Sequence, residues 1–590
     1  MLKQVNRGQD GAGLATIKLD VPAGIRYISR TRSNSDNPIA TVFKDIHKHF
    51  NSLTEAQRKD IPYLKDQVHF TGELILGHLR YGTYAKNTIE NCHPFLRQNN
   101  WQNRNLVLAG NFNLTNVDEL FQQLLDIGQH PKENSDSVLM LEKIGHFLDD
   151  ENQILFDEYR NLGYSNQEIS HLIASNLDVA RILKRSFKNI DGGYAMVGMI
   201  GQGDAFVLRD PAGIRPAYFY EDDEVVVVTS ERPAIQTAFD VPLNEIKEIG
   251  PGNALIIKRD GTVTEENILP PTKRMSCSFE RIYFSRGNDA DIYKERKELG
   301  RLISKRIVKR IGDDFENTVF SYIPNTASTS FYGMIDGLQD YLNVYKKAEI
   351  LKRGASLTEA ELERILALRP RREKIAIKDV KLRTFITADQ HRDDMVGHVY
   401  DVTYGVIRPH KDTLVVIDDS IVRGTTLKLS ILRILDRLKP KKIIVISSAP
   451  QIRYPDCYGI DMSMMKDFVA FQALLKLLEE RNLEHKMDEA YEMAKLELKK
   501  PEAEMRNILQ GVYALFTDEE ISAKIAEILT PEDIGAEVEI VYQTIEDLHL
   551  ACPNDTGDWY FSGNFPTPGG FRVVNKAFVN FMEGVHERAY

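Results

Sequence analysis

The chain of 590 residues is too long for one hydrophobic core, so two domains with an appended segment are expected. Its hydrophobic content of 42%, charged content of 27% and net charge of −11 describe an ordinary globular protein and argue against a nucleic-acid partner. No apolar run approaches the length of a membrane span, and residues 1–7 lack a signal-peptide core, so the sequence predicts a cytoplasmic protein with no membrane partner.

Four short segments stand out in the N-terminal region. They are N-R-G-Q-D-G-A-G at 6–13, G-H-L-R-Y-G-T at 77–83, G-N-F-N-L-T-N at 110–116 and S-D-S at 135–137. In this order they resemble motifs of the class II glutamine amidotransferases. The resemblance implies that Arg80 binds the α-carboxylate of glutamine, a bidentate task that suits guanidinium, and that Asp136 holds the α-amino group. It also implies an oxyanion hole made by the Asn111 side chain and the N–H of Phe112, where the family has glycine.

Taken singly, Arg80, Asn111 and Asp136 are better explained as turn or capping residues, but the common order of the three family segments along the chain favours the functional interpretation. The resemblance also shows what is missing. Family members begin with a cysteine whose thiolate attacks the glutamine amide, and they carry histidine at the position of Asn6. Only five residues precede Asn6 and the first cysteine is Cys92, so the nucleophilic cysteine is absent from the chain as given.

Two explanations for the missing cysteine remain open. The first is that Met1 is not the true start, because loss of an opening strand would leave apolar surface and sheet hydrogen-bonding groups uncovered. The second is a vestigial glutaminase domain. In either case residues 1–265 form the predicted amidotransferase domain, with strands expected at 192–197, 205–208 and 225–229.

After a predicted linker at 270–273, residues 277–286 (C-S-F-E-R-I-Y-F-S-R) resemble the start of a phosphoribosyltransferase domain, which we place at 275–470. A predicted strand at 318–323 leads into P-N-T at 324–326, which resembles a pyrophosphate loop and implies that Thr326 contacts a metal ion. Residues 344–378 depart from the family pattern and are interpreted as an insertion containing a helix opened by a capping box of Ser356 and Glu359.

The stretch 413–426 reads T-L-V-V-I-D-D-S-I-V-R-G-T-T. Its apolar run at 414–417 predicts a strand buried in a parallel sheet, and apolar residues at helical spacing follow it, then another apolar run at 441–446. The three elements form a β-α-β unit. Small and hydroxylated residues in the turn can close backbone N–H groups around a phosphate at a helix N-terminus, and adjacent carboxylates suit ribose hydroxyls and a hard cation.

This stretch resembles the phosphoribosyl pyrophosphate (PRPP) signature of type I phosphoribosyltransferases, in the form found in glutamine PRPP amidotransferases. The R-T-F-I at 383–386 resembles the start of the mobile loop that excludes water in that family. The implied PRPP-binding residues are Asp418, Asp419, Ser420, Arg423, Gly424, Thr425, Thr426 and Arg383. The implied ligands of Mg²⁺ are Thr326, Asp418 and Asp419. For an isolated Asp-Asp pair, a capped strand-helix turn would be the simpler interpretation.

Residues 471–590 are predicted to form a helical C-terminal extension, within which 561–567 (F-S-G-N-F-P-T) resembles a family segment. Some family members hold an iron–sulfur cluster near it. Among the corresponding positions of this chain, only Cys277 is a cysteine, and Asp456, Gly557 and Tyr560 occupy the others. One thiolate cannot hold a cluster, so none is expected.

Together these resemblances imply an Ntn-hydrolase αββα sandwich followed by a parallel-sheet phosphoribosyltransferase domain. The resemblance implies transfer of glutamine-derived ammonia to C1 of PRPP, giving 5-phosphoribosylamine and pyrophosphate in the first step of purine synthesis. It implies glutamine and PRPP as substrates, purine nucleotides as feedback inhibitors, and a homo-oligomer. The alternatives are an ammonia-dependent transferase with a vestigial first domain and a non-enzymatic PRPP-sensing regulator. The regulator would need a basic DNA-binding module, and neither end of the chain provides one.

Overall fold

The computed structural model describes residues 1–82, 88–378, 400–460 and 462–589. The N-terminal region contains two small antiparallel sheets. The strands of the first are β1 (Gly11–Ile17), β2 (Ile28–Ser33) and β3 (Leu74–Arg80), in the order β2-β1-β3. Those of the second are β8 (Tyr218–Glu221), β9 (Val226–Thr229) and β10 (Lys247–Glu248), in the order β10-β8-β9.

A larger antiparallel sheet forms the second β layer. Its strands are β4 (Phe95–Arg97), β5 (Leu106–Leu114), β6 (Gly192–Ile200), β7 (Ala205–Arg209), β11 (Asn253–Ile257) and β12 (Val263–Asn267), in the order β12-β11-β7-β6-β5-β4. Both small sheets pack on one face of this large sheet. Val107 and Ala109 of the large sheet contact the first small sheet, and Val207 and Leu255 contact the second.

Helices cover the outer faces of the two β layers. They are α1 (Pro38–Lys48), α2 (Glu55–Lys59), α3 (Ile61–Gln67), α4 (Val117–Asp126), α5 (Asp136–Asn161), α6 (Asn166–Asn176), α7 (Val179–Ser186) and α8 (Arg232–Phe239). Ile39 and Val42 of α1 pack on the first small sheet, whereas Leu141 and Ile144 of α5 pack on the large one. The result is the αββα sandwich that the sequence predicts.

The second domain is built on a parallel sheet with the order β14-β13-β17-β18-β19. Its strands are β13 (Thr318–Tyr322), β14 (Arg371–Arg372), β17 (Thr413–Asp418), β18 (Lys442–Ser447) and β19 (Glu537–Tyr542), and β15 (Ala376–Lys378) pairs separately with β16 (Tyr400–Val402). Apolar runs at 414–417 and 443–446 are buried because helices cover both faces of the sheet. The associated helices are α9 (Ala290–Ile311), α10 (Ser328–Arg353), α11 (Glu359–Ala367) and α12 (Leu432–Asp436). This is the predicted parallel-sheet domain.

The C-terminal segment is mostly helical, as predicted, but it also supplies a strand of the parallel sheet. Its helices are α13 (Val469–Glu480), α14 (His485–Glu497), α15 (Leu509–Tyr513), α16 (Asp518–Leu529), α17 (Ile545–Ala551), α18 (Trp559–Ser562) and α19 (Pro568–Met582). β19 pairs in parallel with β18 over six residues, from Lys442 opposite Glu537 to Ser447 opposite Tyr542. A domain boundary at residue 470 would therefore separate this strand from its sheet.

Two local predictions differ from the structure. Ser356 does not cap α11: the cap is Thr358, whose hydroxyl accepts from the N–H of Glu361 at 3.3 Å while the Glu361 carboxylate accepts from the N–H of Thr358 at 3.0 Å. The helix after the PRPP-like turn is also not uniform, because a π-helical turn at Leu427–Ile431 precedes α12. Every helix in the described ranges is too short or too polar to cross a bilayer.

Candidate active sites

The acidic couplet lies at the end of β17, where the chain leaves the sheet. The carboxylate of Asp418 accepts from the N–H of Asp419 at 2.9 Å, and the Ser420 hydroxyl donates to Asp419 at 3.2 Å. Because β13 runs parallel to β17, the loop after β13 meets the couplet at the same edge of the sheet. Thr326 in this loop lies close enough to Asp419 to lower the pKa of that carboxyl group, so all three predicted metal ligands lie together.

Burial raises the pKa of both carboxyl groups of the couplet, and repulsion from Asp419 adds to the shift of Asp418. Burial raises the pKa of Asp419 to about 6, although Arg296, Ser420 and Thr326 act in the opposite direction. Burial, together with the neighbouring Asp419, raises the pKa of Asp418 well above its ordinary value. Such perturbed carboxylates are typical of functional sites, and a divalent cation would relieve the repulsion. Two carboxylates and a hydroxyl fit Mg²⁺, which takes one or two protein carboxylates and completes its shell with water and phosphate oxygens.

The turn that follows is shaped by Gly424, whose φ of +71° suits glycine and whose Cβ would lie 2.5 Å from Leu529 of α16. The helix begins at Thr425 and Thr426, and the N–H of Lys428 donates to the Gly424 carbonyl at 2.9 Å. The predicted phosphate-binding residues 420 and 424–426 thus surround a helix N-terminus. Arg423 instead forms an ion pair with Asp467 at 3.3 Å. The predicted PRPP contact Arg383 lies outside the described residues.

The predicted glutamine-site residues surround a cavity of about 660 Å³ in the first domain, between the large sheet and the two small sheets. Its lining includes Arg80, Asn111, Phe112 and Asp136. Arg80 ends β3 and is 6% exposed, whereas Asn111 and Phe112 lie on β5. Asp136 is the first residue of α5, after Ser135, which caps the helix. Four residues from three separate elements therefore converge on one space.

Burial raises the pKa of Asp136 to about 6, despite hydrogen bonds from the N–H and hydroxyl of Ser137.

Two residues with no predicted role also line this cavity. They are His78, on β3, and His93, just before β4, and their rings stack face to face. The pattern of the sequence gave no reason to single them out, because His93 is brought to His78 only by the path of the chain from β3 to β4.

Two strand edges border the same cavity. In the described part of the chain β3 and β9 are the edges of their sheets, and both contribute to the lining. Ile75 of β3 is 66% exposed, and the side chain of Met1 lies against Gly77 in the same strand. Apolar side chains and backbone groups are thus left open beside the cavity.

The described lining of the cavity contains no cysteine. Cys92 lies next to it but is buried, with its thiol 3.7 Å from the Thr88 carbonyl and 3.8 Å from that of Ser33. Burial raises the pKa of the Cys92 thiol, so the reactive thiolate is disfavoured. Cys92 is therefore poorly suited to be a nucleophile.

The inner end of the cavity reaches the second domain. Glu280, in a π-helical turn at 280–284, accepts two hydrogen bonds from Arg7 at 2.5 and 2.9 Å and one from Arg215 at 3.5 Å. Asn113 of β5 donates to the Cys457 carbonyl at 2.7 Å. These buried polar contacts fix the two domains against each other beside Phe284, which also lines the cavity.

The four positions that correspond to cluster ligands in some family members meet behind this interface. The Cys277 thiol lies 3.2 Å from the Tyr560 hydroxyl, and the backbone of Cys277 pairs with that of Gly557. Asp456 accepts from the indole N–H of Trp559 at 3.0 Å. Protein side chains therefore hydrogen-bond to one another at these positions. The expectation that no cluster is bound stays a prediction.

No protein-family model matches the chain. Curated relatives include the amidophosphoribosyltransferases of Pasteurella multocida, 25% identical over 79% of this chain and 78% of its own length, and of Escherichia coli K12, 26% identical over the same shares. That of Saccharomyces cerevisiae is 25% identical over 84% of this chain and 79% of its own length.

Among solved structures, glutamine PRPP amidotransferase from B. subtilis, complexed with ADP and GMP, superposes with a TM-score of 0.59. It is 23% identical, and the match covers 96% of this chain and 93% of that one. The fold is that of an amidotransferase sandwich joined to a phosphoribosyltransferase domain. The curated relatives of the chain are amidophosphoribosyltransferases, as the sequence motifs predict.

Proposed function

We propose that this protein is an amidophosphoribosyltransferase, which transfers ammonia to C1 of PRPP and releases 5-phosphoribosylamine and pyrophosphate. The acidic couplet at Asp418 and Asp419, followed at the end of β17 by a glycine-containing turn and a helix N-terminus, carries this proposal. The names of the curated relatives support it, since they span bacteria, archaea and eukaryotes. The product would enter purine synthesis, and the protein would be cytoplasmic.

In the transferase site, the backbone N–H groups around Gly424 to Thr426 would bind the 5-phosphate of PRPP at the helix N-terminus. Asp418 and Asp419 would accept hydrogen bonds from the ribose hydroxyls. With Thr326, they would also hold Mg²⁺, which when bound neutralises charge on the pyrophosphate. The sheet fixes the couplet before the substrate arrives, so little reorganisation is needed when charge develops.

In the first domain, the cavity would bind glutamine between Arg80 at its α-carboxylate and Asp136 at its α-amino group. Asn111 and the N–H of Phe112 would face the oxygen of the side-chain amide. Because the described lining offers no thiolate, the 590-residue chain should use free ammonia as its nitrogen source. For the protein we keep glutamine-derived ammonia as the proposed nitrogen source, which the names of the curated relatives support, and an ammonia-dependent transferase as the alternative.

Purine nucleotides are proposed as feedback inhibitors, since the B. subtilis structure is a complex with ADP and GMP. A homo-oligomer also stays a prediction.

A turnover assay tests the proposal. With PRPP and Mg²⁺, the protein should release pyrophosphate when ammonium is added but not when glutamine is added. The double variant Asp418→Asn/Asp419→Asn should abolish turnover, whereas Asp401→Asn, an exposed residue of β16, serves as a matched control and should not. Failure to bind PRPP in a calorimetric titration of the folded protein would refute the transferase assignment. Glutamine-dependent product would refute our account of the missing nucleophile.

A further inference from the structure

The stacked histidines beside the cavity connect the two ends of the proposed glutamine site. The rings of His78 and His93 lie 4.3 Å apart with an angle of 20° between their planes. His93 is buried and His78 is half-buried, and both line the cavity. Since flat rings in contact resist compression, the pair holds β3 and the start of β4 at a fixed separation.

The His78 end of the stack is anchored beside the proposed oxyanion hole. Its Nε2 lies 3.1 Å from the carbonyl oxygen of Gly110, the residue before Asn111. A carbonyl can only accept a hydrogen bond, so Nε2 of His78 carries the proton. Burial lowers the pKa of His78 to about 4, and the ring is therefore neutral near pH 7.

The His93 end reaches Asp136 through one hydroxyl. The Nε2 of His93 lies 3.4 Å from the Ser137 hydroxyl, and that hydroxyl donates to the Asp136 carboxylate at 3.1 Å. An ionised carboxylate can only accept, so the serine proton points at Asp136 and the serine oxygen is free to accept from His93. The result is a directed chain of hydrogen bonds from His93 through Ser137 to Asp136.

We infer that His93 is a positioning residue of the amino-acid site: through Ser137 it orients the Asp136 carboxylate toward the α-ammonium group of the ligand. The stack on His78 keeps that carboxylate at a fixed distance from Gly110 and Asn111. The inference rests on the proposed glutamine site and adds residues to it. It also makes the site selective, because only an amino acid amide that spans this distance fits both ends.

The test compares L-glutamine with 4-carbamoylbutanoate, which is glutamine without its α-amino group. Calorimetric titration of His93→Phe, which keeps the aromatic stack but removes the N–H, should show about five- to tenfold weaker binding of glutamine. Binding of the desamino compound should stay within about twofold, because it makes no contact with Asp136. A merely structural role for His93 would weaken both ligands equally, and that result would overturn the inference.

A second pair of variants leaves the histidine stack intact. Ser137→Ala should reproduce the selective loss, and Ser137→Thr, which keeps a hydroxyl, should restore glutamine binding. Adding His93→Phe to Asp136→Asn should produce no further loss, since the two residues act as one unit. Additive losses would contradict the proposed chain of hydrogen bonds.

PRPP binding distinguishes the possible failures. His93→Phe should bind PRPP as the unaltered protein does, which shows that the fold is intact. If the unaltered protein binds PRPP but neither amide, the glutamine site itself is wrong. If it binds glutamine and His93→Phe binds it equally well, only the role of His93 is refuted.

Discussion

At the scale of single residues, the ionised couplet of Asp418 and Asp419 destabilises the folded protein, because burial raises the pKa of both carboxyl groups. A carboxyl group whose pKa is raised by folding binds its proton more tightly in the folded state than in the unfolded state. Such a group lowers the free energy of unfolding as the pH rises from its unfolded pKa, near 4, through its folded pKa. The ionised couplet therefore lowers the stability of the ligand-free protein, and a bound cation and substrate would offset this loss.

Replacement of Asp419 by Asn should stabilise the ligand-free protein while preventing PRPP binding. The gain at pH 7.5 should be of the order of 1–2 kcal/mol, since the side chain remains partly exposed. The loss of stability between pH 4 and about 6 should become smaller, because that carboxyl no longer titrates. Thermal unfolding at several pH values, with PRPP titrations alongside, measures both effects. A less stable variant with unchanged PRPP affinity would contradict the assigned role.

Glutamine binding should weaken below about pH 6, because protonated Asp136 cannot pair with the α-ammonium group. Burial keeps the pKa of His78 near 4, so this ring should not contribute to the change in that range. Calorimetric titrations of glutamine from pH 5 to 8 test the expectation. The control, Asp136→Asn, should bind weakly at every pH; a pH dependence that survives in this variant would assign the titration to another group.

Candidate site residues could be named from the sequence where they lie close together along the chain in a recognisable motif. The couplet, Gly424 and the hydroxyls around it follow one another along the chain, so a single motif reveals them. Arg80, Asn111 and Asp136 required several separated segments in a recognisable order. His93 was not singled out, because its stacking on His78 and its approach to Ser137 arise only in the folded chain.

At the scale of secondary structure, α11 shows how two equivalent signals compete. Both Ser356 with Glu359 and Thr358 with Glu361 have the spacing of a capping box, and our prediction named only the first. The structure uses the second, because Ser356 is held in a 3₁₀ turn where its hydroxyl donates to the Arg353 carbonyl at 2.7 Å. The existence of the helix was predictable, and its starting residue was not.

Thr358→Ala should therefore destabilise α11 by about 1 kcal/mol, whereas Ser356→Ala should have a much smaller effect. Neither change should alter ammonium-dependent turnover, since both residues are exposed and hydrogen-bond to Arg353 and Glu361 rather than to the couplet. Hydrogen exchange of the amides at 359–367 measures the difference directly. Equal protection in the two variants would contradict the capping assignment.

The strand β19 was not predicted because its pattern is atypical of a parallel strand. Glu537 and Glu539 alternate with Val538 and Ile540, whereas the inner strands are continuously apolar. The alternation reflects its position at the edge of the sheet, where Glu539 pairs with Arg310 at 2.9 Å and with Lys442 at 2.8 Å. Helices surround this short strand in the sequence, which made a wholly helical extension the simpler expectation.

At the scale of the whole molecule, the C-terminal segment joins both domains. Leu529 packs against Gly424 in the PRPP-like turn, while Thr567 donates to Asp191 in the first domain at 2.5 Å. The N–H of Gly569 donates to the same carboxylate at 3.1 Å. The segment is thus part of the folding unit of the transferase domain and also of the interface between the domains.

A fragment that ends at residue 470 should not form a stable transferase domain. It would lose β19 and the helix that supports Gly424, leaving β18 as an uncovered apolar edge prone to association. A fragment of residues 275–589 should fold and bind PRPP. Size-exclusion chromatography and PRPP titration of both fragments test this. Normal PRPP binding by the shorter fragment would show that β19 is dispensable.

The distance in sequence between β18 and β19 also affects how the protein is made. β18 ends at Ser447 and β19 begins at Glu537, so the ribosome must add many residues before the sheet can be completed. At usual rates of synthesis the delay is roughly 5–20 s. The first domain can fold during translation, but the second reaches its final form only after β19 has been synthesised. We therefore expect nascent chains stalled between the two strands to recruit chaperones more strongly than chains released at full length.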